Sequence, residues 1–136
     1  MPMKPITTTT RYRVRYADTD QMGVVYYGNY ARFYEIGRTE MIRELGMPYT
    51  ELEAGGVMMH VYSVEAKYRD VIRYDELITI ETMVTEMPAA RMIFDHRILN
   101  GEGKVVHEAR VVLVFLDMIT HRPTRAPGRL VALLRD

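Results

Sequence analysis

The sequence predicts an α+β protein, an antiparallel sheet laid against one long helix, and three features point that way. A single amphipathic pattern runs from Asn29 to Leu45, with Tyr30, Phe33, Tyr34, Gly37, Met41 and Leu45 at spacings of three and four. Four β-branched stretches of period two follow it. The connection Asn100-Gly101-Glu102-Gly103 is hairpin chemistry rather than a crossover. At 136 residues the chain has the length of one domain, 1–136, which buries about two-thirds of its unfolded surface.

Taken in order, the start MPMKPITTTT is polar and holds two prolines, so residues 1–7 are expected to form a disordered leader. From Thr8, Thr10, Tyr12, Val14 and Tyr16 alternate with Arg11, Arg13 and Arg15, a half-buried strand with the arginines on its solvated face. Residues 17–22 are turn-forming, and Gly23 can take backbone conformations closed to other residues. The long helix comes next and stops at Gly46, with Pro48 two residues on. A glycine inside a helix costs about 1 kcal/mol against alanine, which implies that Gly37 lets the helix approach the sheet closely.

A short helix is expected at Tyr49–Ala54, ended by Gly55-Gly56. Strands are expected at Val57–Tyr68, Leu77–Glu86, Arg91–Leu99 and Lys104–Leu116, with a short edge piece at His121–Arg125 and an amphipathic turn or two over Pro127–Arg135.

Composition narrows the function classes. Eighteen basic and 18 acidic side chains balance, which argues against a nucleic-acid partner or an anionic membrane surface. No cysteine is present, so disulfides, thiolate metal sites and a cysteine nucleophile are excluded. The apolar runs fall short of the roughly 18 residues of a membrane span, and the first ten residues lack a signal-peptide pattern. The expected setting is therefore the cytoplasm. His60, His96, His107 and His121 show no metal-ligand spacing and read as strand or surface histidines, so neither a metal nor a cofactor is expected.

Chemistry concentrates in Tyr16–Gly46. Asp18 and Asp20 stand in a loop just before a helix N-terminus, where free N–H groups and the helix dipole favour negative charge or an oxygen becoming negative. A carboxylate beside an oxyanion site is what acyl transfer or acyl hydrolysis requires. Both aspartates would equally serve as turn and cap residues.

The run D-T-D-Q-M-G-V-V-Y-Y-G-N-Y, followed on the helix by F-Y-E-x-x-R-T-E, resembles the signature of acyl-CoA thioesterases of the 4-hydroxybenzoyl-CoA thioesterase family. A weaker echo lies at Tyr74-Asp75-Glu76-Leu77. The resemblance implies the hotdog fold, a curled antiparallel sheet wrapped around a central helix, and hydrolysis of a thioester to a free acid and coenzyme A. It implies that Asp20 is the catalytic carboxylate, as nucleophile or as general base on water. Asp18 is expected to shape the loop.

Tyr27 stands where related bacterial enzymes often carry histidine, and its backbone N–H is expected to face the thioester oxygen. Gly23 and Val24 are expected against the substrate. Glu35 holds a position that lines the acyl pocket across the dimer in the hydroxybenzoyl enzymes and meets the substrate's hydroxyl. The segment that often meets the coenzyme A phosphates reads Pro88-Ala89-Ala90-Arg91 and offers only Arg91, with Lys67 and Arg69 as further cations. A homo-oligomer is implied, a dimer or a tetramer built from dimers, with Val57–Arg69 as the partner's contribution. Two rivals remain open, a non-catalytic acyl-thioester binding protein and a hotdog dehydratase or hydratase, although the loop offers no histidine to pair with the carboxylate.

Overall fold

The computed structural model describes residues 2–135. Five strands form one antiparallel sheet in the order β1-β3-β4-β5-β2, where β1 is Pro2–Arg13, β2 Val57–Tyr68, β3 Leu77–Glu86, β4 Arg91–Leu99 and β5 Val105–Asp117. The sheet curls around α1, Tyr30–Glu44, which a 3₁₀ turn at Tyr27–Asn29 extends at its N-terminus. Two short helices, α2 at Tyr49–Ala54 and α3 at Gly128–Leu134, lie beyond the other end of α1. This is the α+β arrangement that the periodicity predicted and the hotdog fold that the family resemblance implied.

Strand alternation decides what meets the helix. Ile78, Ile80, Thr82 and Val84 of β3, Met92, Phe94, His96 and Ile98 of β4, and His107, Ala109, Val111, Leu113 and Phe115 of β5 are all buried. Against them α1 buries Tyr30, Phe33, Tyr34, Gly37, Met41 and Ile42. Gly37 is the point of closest approach. A Cβ added there would sit 3.0 Å from the Ile80 side chain and clash outright with the Thr82 hydroxyl.

Two expectations change. Residues 2–7 of the expected leader are strand, because the β-branched run Ile6–Thr10 pairs with β3 from Ile6↔Val84 to Thr10↔Ile80. The prolines are tolerated because β1 is an edge strand and its register is irregular between Pro2 and Ile6. Met1 lies outside the described residues. The edge piece expected at His121–Arg125 is reduced to one bridge, Leu116↔Pro123.

The other edge, β2, is unlike the rest of the sheet. Val61, Tyr62, Val64 and Tyr68 are exposed, and the register slips between Val61 and Ser63. An exposed apolar edge strand invites pairing with another chain. No helix among the described residues is long and apolar enough to cross a membrane.

Candidate active site

The loop between β1 and α1 is held from both sides. Val25 N–H donates to the Ile72 carbonyl at 2.7 Å and Tyr74 N–H to the Gly23 carbonyl at 3.1 Å, which ties the loop to the segment entering β3. Within it, Asp20 N–H donates to the Val24 carbonyl at 2.9 Å and Gly23 N–H to the Asp20 carbonyl at 3.1 Å. This tight reversal puts Gly23 at φ 77°, a region that glycine enters without strain.

The two aspartates have opposite surroundings. Asp18 is fully buried, and its carboxylate accepts hydrogen bonds from the Tyr12 hydroxyl and the Arg15 N–H, both at 2.8 Å, and from the Arg32 guanidinium. Its carbonyl accepts from the Asn29 side chain at 2.8 Å and from Tyr26 N–H at 3.1 Å. Asp18 therefore fastens the loop to β1 and to the helix start, the shaping role expected of it.

Asp20 is exposed, and only Oδ1 is occupied, by Met22 N–H at 2.8 Å. Its Oδ2 accepts no hydrogen bond from the described residues. Seven residues on, the Tyr27 and Gly28 amides begin the helix and find no acceptor there either, while Asn29 N–H is used by the Tyr26 carbonyl at 2.9 Å. A carboxylate with a free oxygen thus shares a loop with unspent N–H donors at the positive end of α1. The Tyr27 ring is 68% exposed and rests on the Tyr26 ring at 4.7 Å between centroids.

Beside Tyr27 lies a cavity of about 470 Å³ bordered by Tyr30, Tyr68, Arg69 and Val71. Arg69 is ion-paired with Glu108. A groove of about 310 Å³ runs between α1 and the open β2 edge, and Glu35 is on its wall together with Gly28, Ala31, Arg38, Val61 and Val64.

Arg91 is not brought to this loop within one chain. It opens β4 beside Val114, near the end of β5, whereas the loop meets the segment entering β3, where β4 ends. Eight steps of about 3.3 Å from Arg91 to Leu99 separate the two ends of β4 by about 26 Å.

Sequence reasoning also missed what His96 and His107 do. Both are on strands, as expected, but they face inward and are buried under α1. The Tyr34 hydroxyl bonds to His107 Nε2, Thr82 Oγ1 lies 3.1 Å from His96 Nδ1, and the Tyr34 ring stacks on both imidazoles. Burial pulls each imidazole down to about 4. The same burial raises Tyr30 to about 12 and raises Tyr34 further. The signal was parity: His96 alternates in step with Met92, Phe94 and Ile98, and His107 with Val111, Leu113 and Phe115.

A curled sheet around one helix, with a carboxylate loop at that helix's start, defines a hotdog protein with the outline of an acyl-transfer site. Residues 14–134 match the model of the thioesterase-like superfamily, and the chain belongs to that family. It is 37% identical over 128 residues to the acyl-CoA thioester hydrolase YbgC of Escherichia coli, covering 93% of this chain and 96% of that protein. A DHNA-CoA thioesterase from Staphylococcus aureus superposes with a TM-score of 0.84 at 31% identity, over 88% of this chain and 80% of that one. A variant 4-hydroxybenzoyl CoA thioesterase complexed with 4-hydroxybenzoyl CoA shares the fold, with a TM-score of 0.84 at 22% identity over 94% of this chain and 98% of that one.

Proposed function

We propose that this chain hydrolyses an acyl-CoA thioester to a free carboxylic acid and coenzyme A, with Asp20 as the catalytic carboxylate. That it is a thioester hydrolase follows from its family and from near full-length similarity to a named acyl-CoA thioester hydrolase. The assignment of residues is our reading. One observation carries it: of two aspartates in one loop, Asp18 is buried and saturated with donors, whereas Asp20 is exposed with an oxygen to spare.

In this reading the thioester carbonyl lies against the helix start, its oxygen receiving the Tyr27 N–H as the tetrahedral centre forms. One such donor is worth about 3 kcal/mol of transition-state stabilisation. Asp20 either attacks the carbonyl carbon, giving a mixed anhydride that water then opens, or takes a proton from the attacking water. In both routes the thiolate of coenzyme A leaves. Gly23 and Val24 present the loop to the substrate, and Glu35 lines the acyl groove.

The β2 edge is proposed as the dimer contact, with a tetramer built from such dimers. Arg91 reaches coenzyme A phosphates only across such an interface, because its own Asp20 is at the other end of the sheet. No cofactor beyond the coenzyme A of the substrate is invoked, and the cytoplasm is the expected setting.

The deciding measurement is thiol release from short, long and aromatic acyl-CoAs by wild type and Asp20→Asn. The substitution keeps the shape and the Met22 contact while removing the charge, so a loss of about 10²- to 10⁴-fold in kcat is expected. Equal activity of the two proteins removes Asp20 from the mechanism. Binding without turnover by wild type supports an acyl-thioester binding protein instead.

A further inference from the structure

Arg38 has no place in the chemistry above, yet it is the most conspicuous unspent charge of the interior. It is half-buried on α1, one turn beyond Glu35, and it makes no hydrogen bond or ion pair with any described residue. Arg32, Arg97 and Arg110 by contrast are each paired with a carboxylate, Asp18, Glu81 and Asp95 in turn. Burial holds the Arg38 guanidinium below the usual arginine range, with Glu35 opposing that effect. A half-buried guanidinium with no hydrogen-bonded partner is costly, and a bidentate anion is what relieves it.

The surroundings say where that anion would come from. Arg38 borders the same groove whose near end is Gly28, beside the free amides of the helix start, and whose opposite wall is Val61 and Val64. From Gly28 to Arg38 is ten residues, about 15 Å along the helix axis, and helical side chains lean back towards the N-terminus, which shortens the gap. An acyl group that starts at the Tyr27 amide and lies along this apolar wall meets Arg38 at its far end. Glu35, between the two, is exposed, so water screens its charge.

We infer that Arg38 is a specificity-determining residue that selects acyl groups ending in a carboxylate, holding that carboxylate at the distal end of the groove. The inference rests on the thioester hydrolase reading and deepens it.

The test compares hexanoyl-CoA with adipoyl-CoA, equal in chain length and differing by the terminal carboxylate, for wild type, Arg38→Met, Arg38→Lys and Glu35→Gln. Wild type is expected to favour adipoyl-CoA in kcat/KM. Arg38→Met should lose about 10- to 100-fold on adipoyl-CoA, mainly through KM, with hexanoyl-CoA unchanged. Arg38→Lys, which keeps the charge without the fork, should retain part of the preference, and Glu35→Gln should raise activity on adipoyl-CoA.

A wild type indifferent to the carboxylate overturns the proposal. So does an Arg38→Met protein that loses activity equally on both substrates, or whose sedimentation changes, since Arg38 would then serve packing or a subunit contact. Melting curves of Arg38→Met and Arg38→Lys separate misfolding from lost recognition. If no thioester is turned over by any variant, the hydrolase reading falls. Calorimetry of the same two ligands, wild type against Arg38→Met, still decides Arg38, which is refuted if both proteins bind them alike.

Discussion

The two long flanks of α1 meet the sheet in opposite ways. Towards β3 and β4 the helix is pressed so close that only glycine fits at Gly37, and Tyr34, His96, His107 and Thr82 form a sealed polar cluster among apolar neighbours. Towards β2 the wall recedes: Val61 and Val64 stay exposed, Glu35 and Arg38 are unpaired, and a groove remains. One flank spends its side chains on packing and the other leaves them available. The same division separates Asp18 from Asp20 two residues apart: one is buried and saturated with donors, the other exposed with a free oxygen, and the proposed chemistry rests on that difference rather than on residue type.

The largest effects should come from exchanging the roles of the aspartates. Asp20→Asn should cost about 10²- to 10⁴-fold in kcat with little change in melting temperature. Asp18→Asn should do the reverse. It removes the charge that Arg32, the Tyr12 hydroxyl and Arg15 N–H all address, a loss of about 3 kcal/mol by analogy with breaking a buried ion pair, visible in chemical denaturation. If Asp18→Asn is stable and Asp20→Asn unfolds, the contrast between them is wrong.

The sealed flank should reveal itself through pH. In the folded chain His96 and His107 are held to about 4, whereas an unfolded imidazole titrates near 6.5. Below about pH 6.5 the unfolded state takes up protons that the folded state refuses, so stability is fully present above that pH. It should then fall as pH drops towards 4, by up to a few kcal/mol. Denaturant midpoints at pH 7.5, 6 and 4.5 measure this. His96→Phe, which keeps a ring for the Tyr34 stack, should flatten part of the slope while leaving Thr82 without its partner.

Gly37→Ala tests the closeness of that flank more gently. In a free helix the change would stabilise by about 1 kcal/mol. Here the added methyl meets Thr82 and Ile80, so a net loss of about 1–2 kcal/mol is expected from overpacking. A more stable Gly37→Ala protein would mean that the flank is looser than the distances indicate.

The sequence declared the helix, the long strands and the role of Gly37, because these rest on periodicity and on a local steric rule. Asp18 and Asp20 were legible as a pair, but their separation into a buried anchor and an exposed carboxylate needed the third dimension: Tyr12 and Arg32 reach Asp18 from β1 and α1. His96 and His107 were hidden because residue type was weighed above strand parity. Ile6–Thr10 was hidden because nearby prolines suggested disorder, although an edge strand accommodates them. Arg91 was placed by its neighbours in sequence, and topology carried it to the far end of the sheet. Arg38 stood in the quoted run F-Y-E-x-x-R-T-E, but its lack of a partner among the described residues shows only in the fold, beside the receding β2 wall.

The smallest effect is expected at the most conspicuous ring of the site. Tyr27 stands at the helix start with 68% of its surface exposed, and its phenol meets the neighbouring Tyr26 hydroxyl rather than Asp20. The proposed contribution comes from its amide, which any residue other than proline supplies. Tyr27→Phe should therefore change kcat by no more than about 2-fold, since the amide and the ring packing on Tyr26 both survive. Tyr27→Ala should act chiefly on KM, through the lost wall of the cavity beside Tyr68 and Val71. A kcat loss for Tyr27→Phe comparable to that for Asp20→Asn would transfer the decisive donor from backbone to phenol. The loop would then work through a side-chain acid, with the helix start reduced to a scaffold.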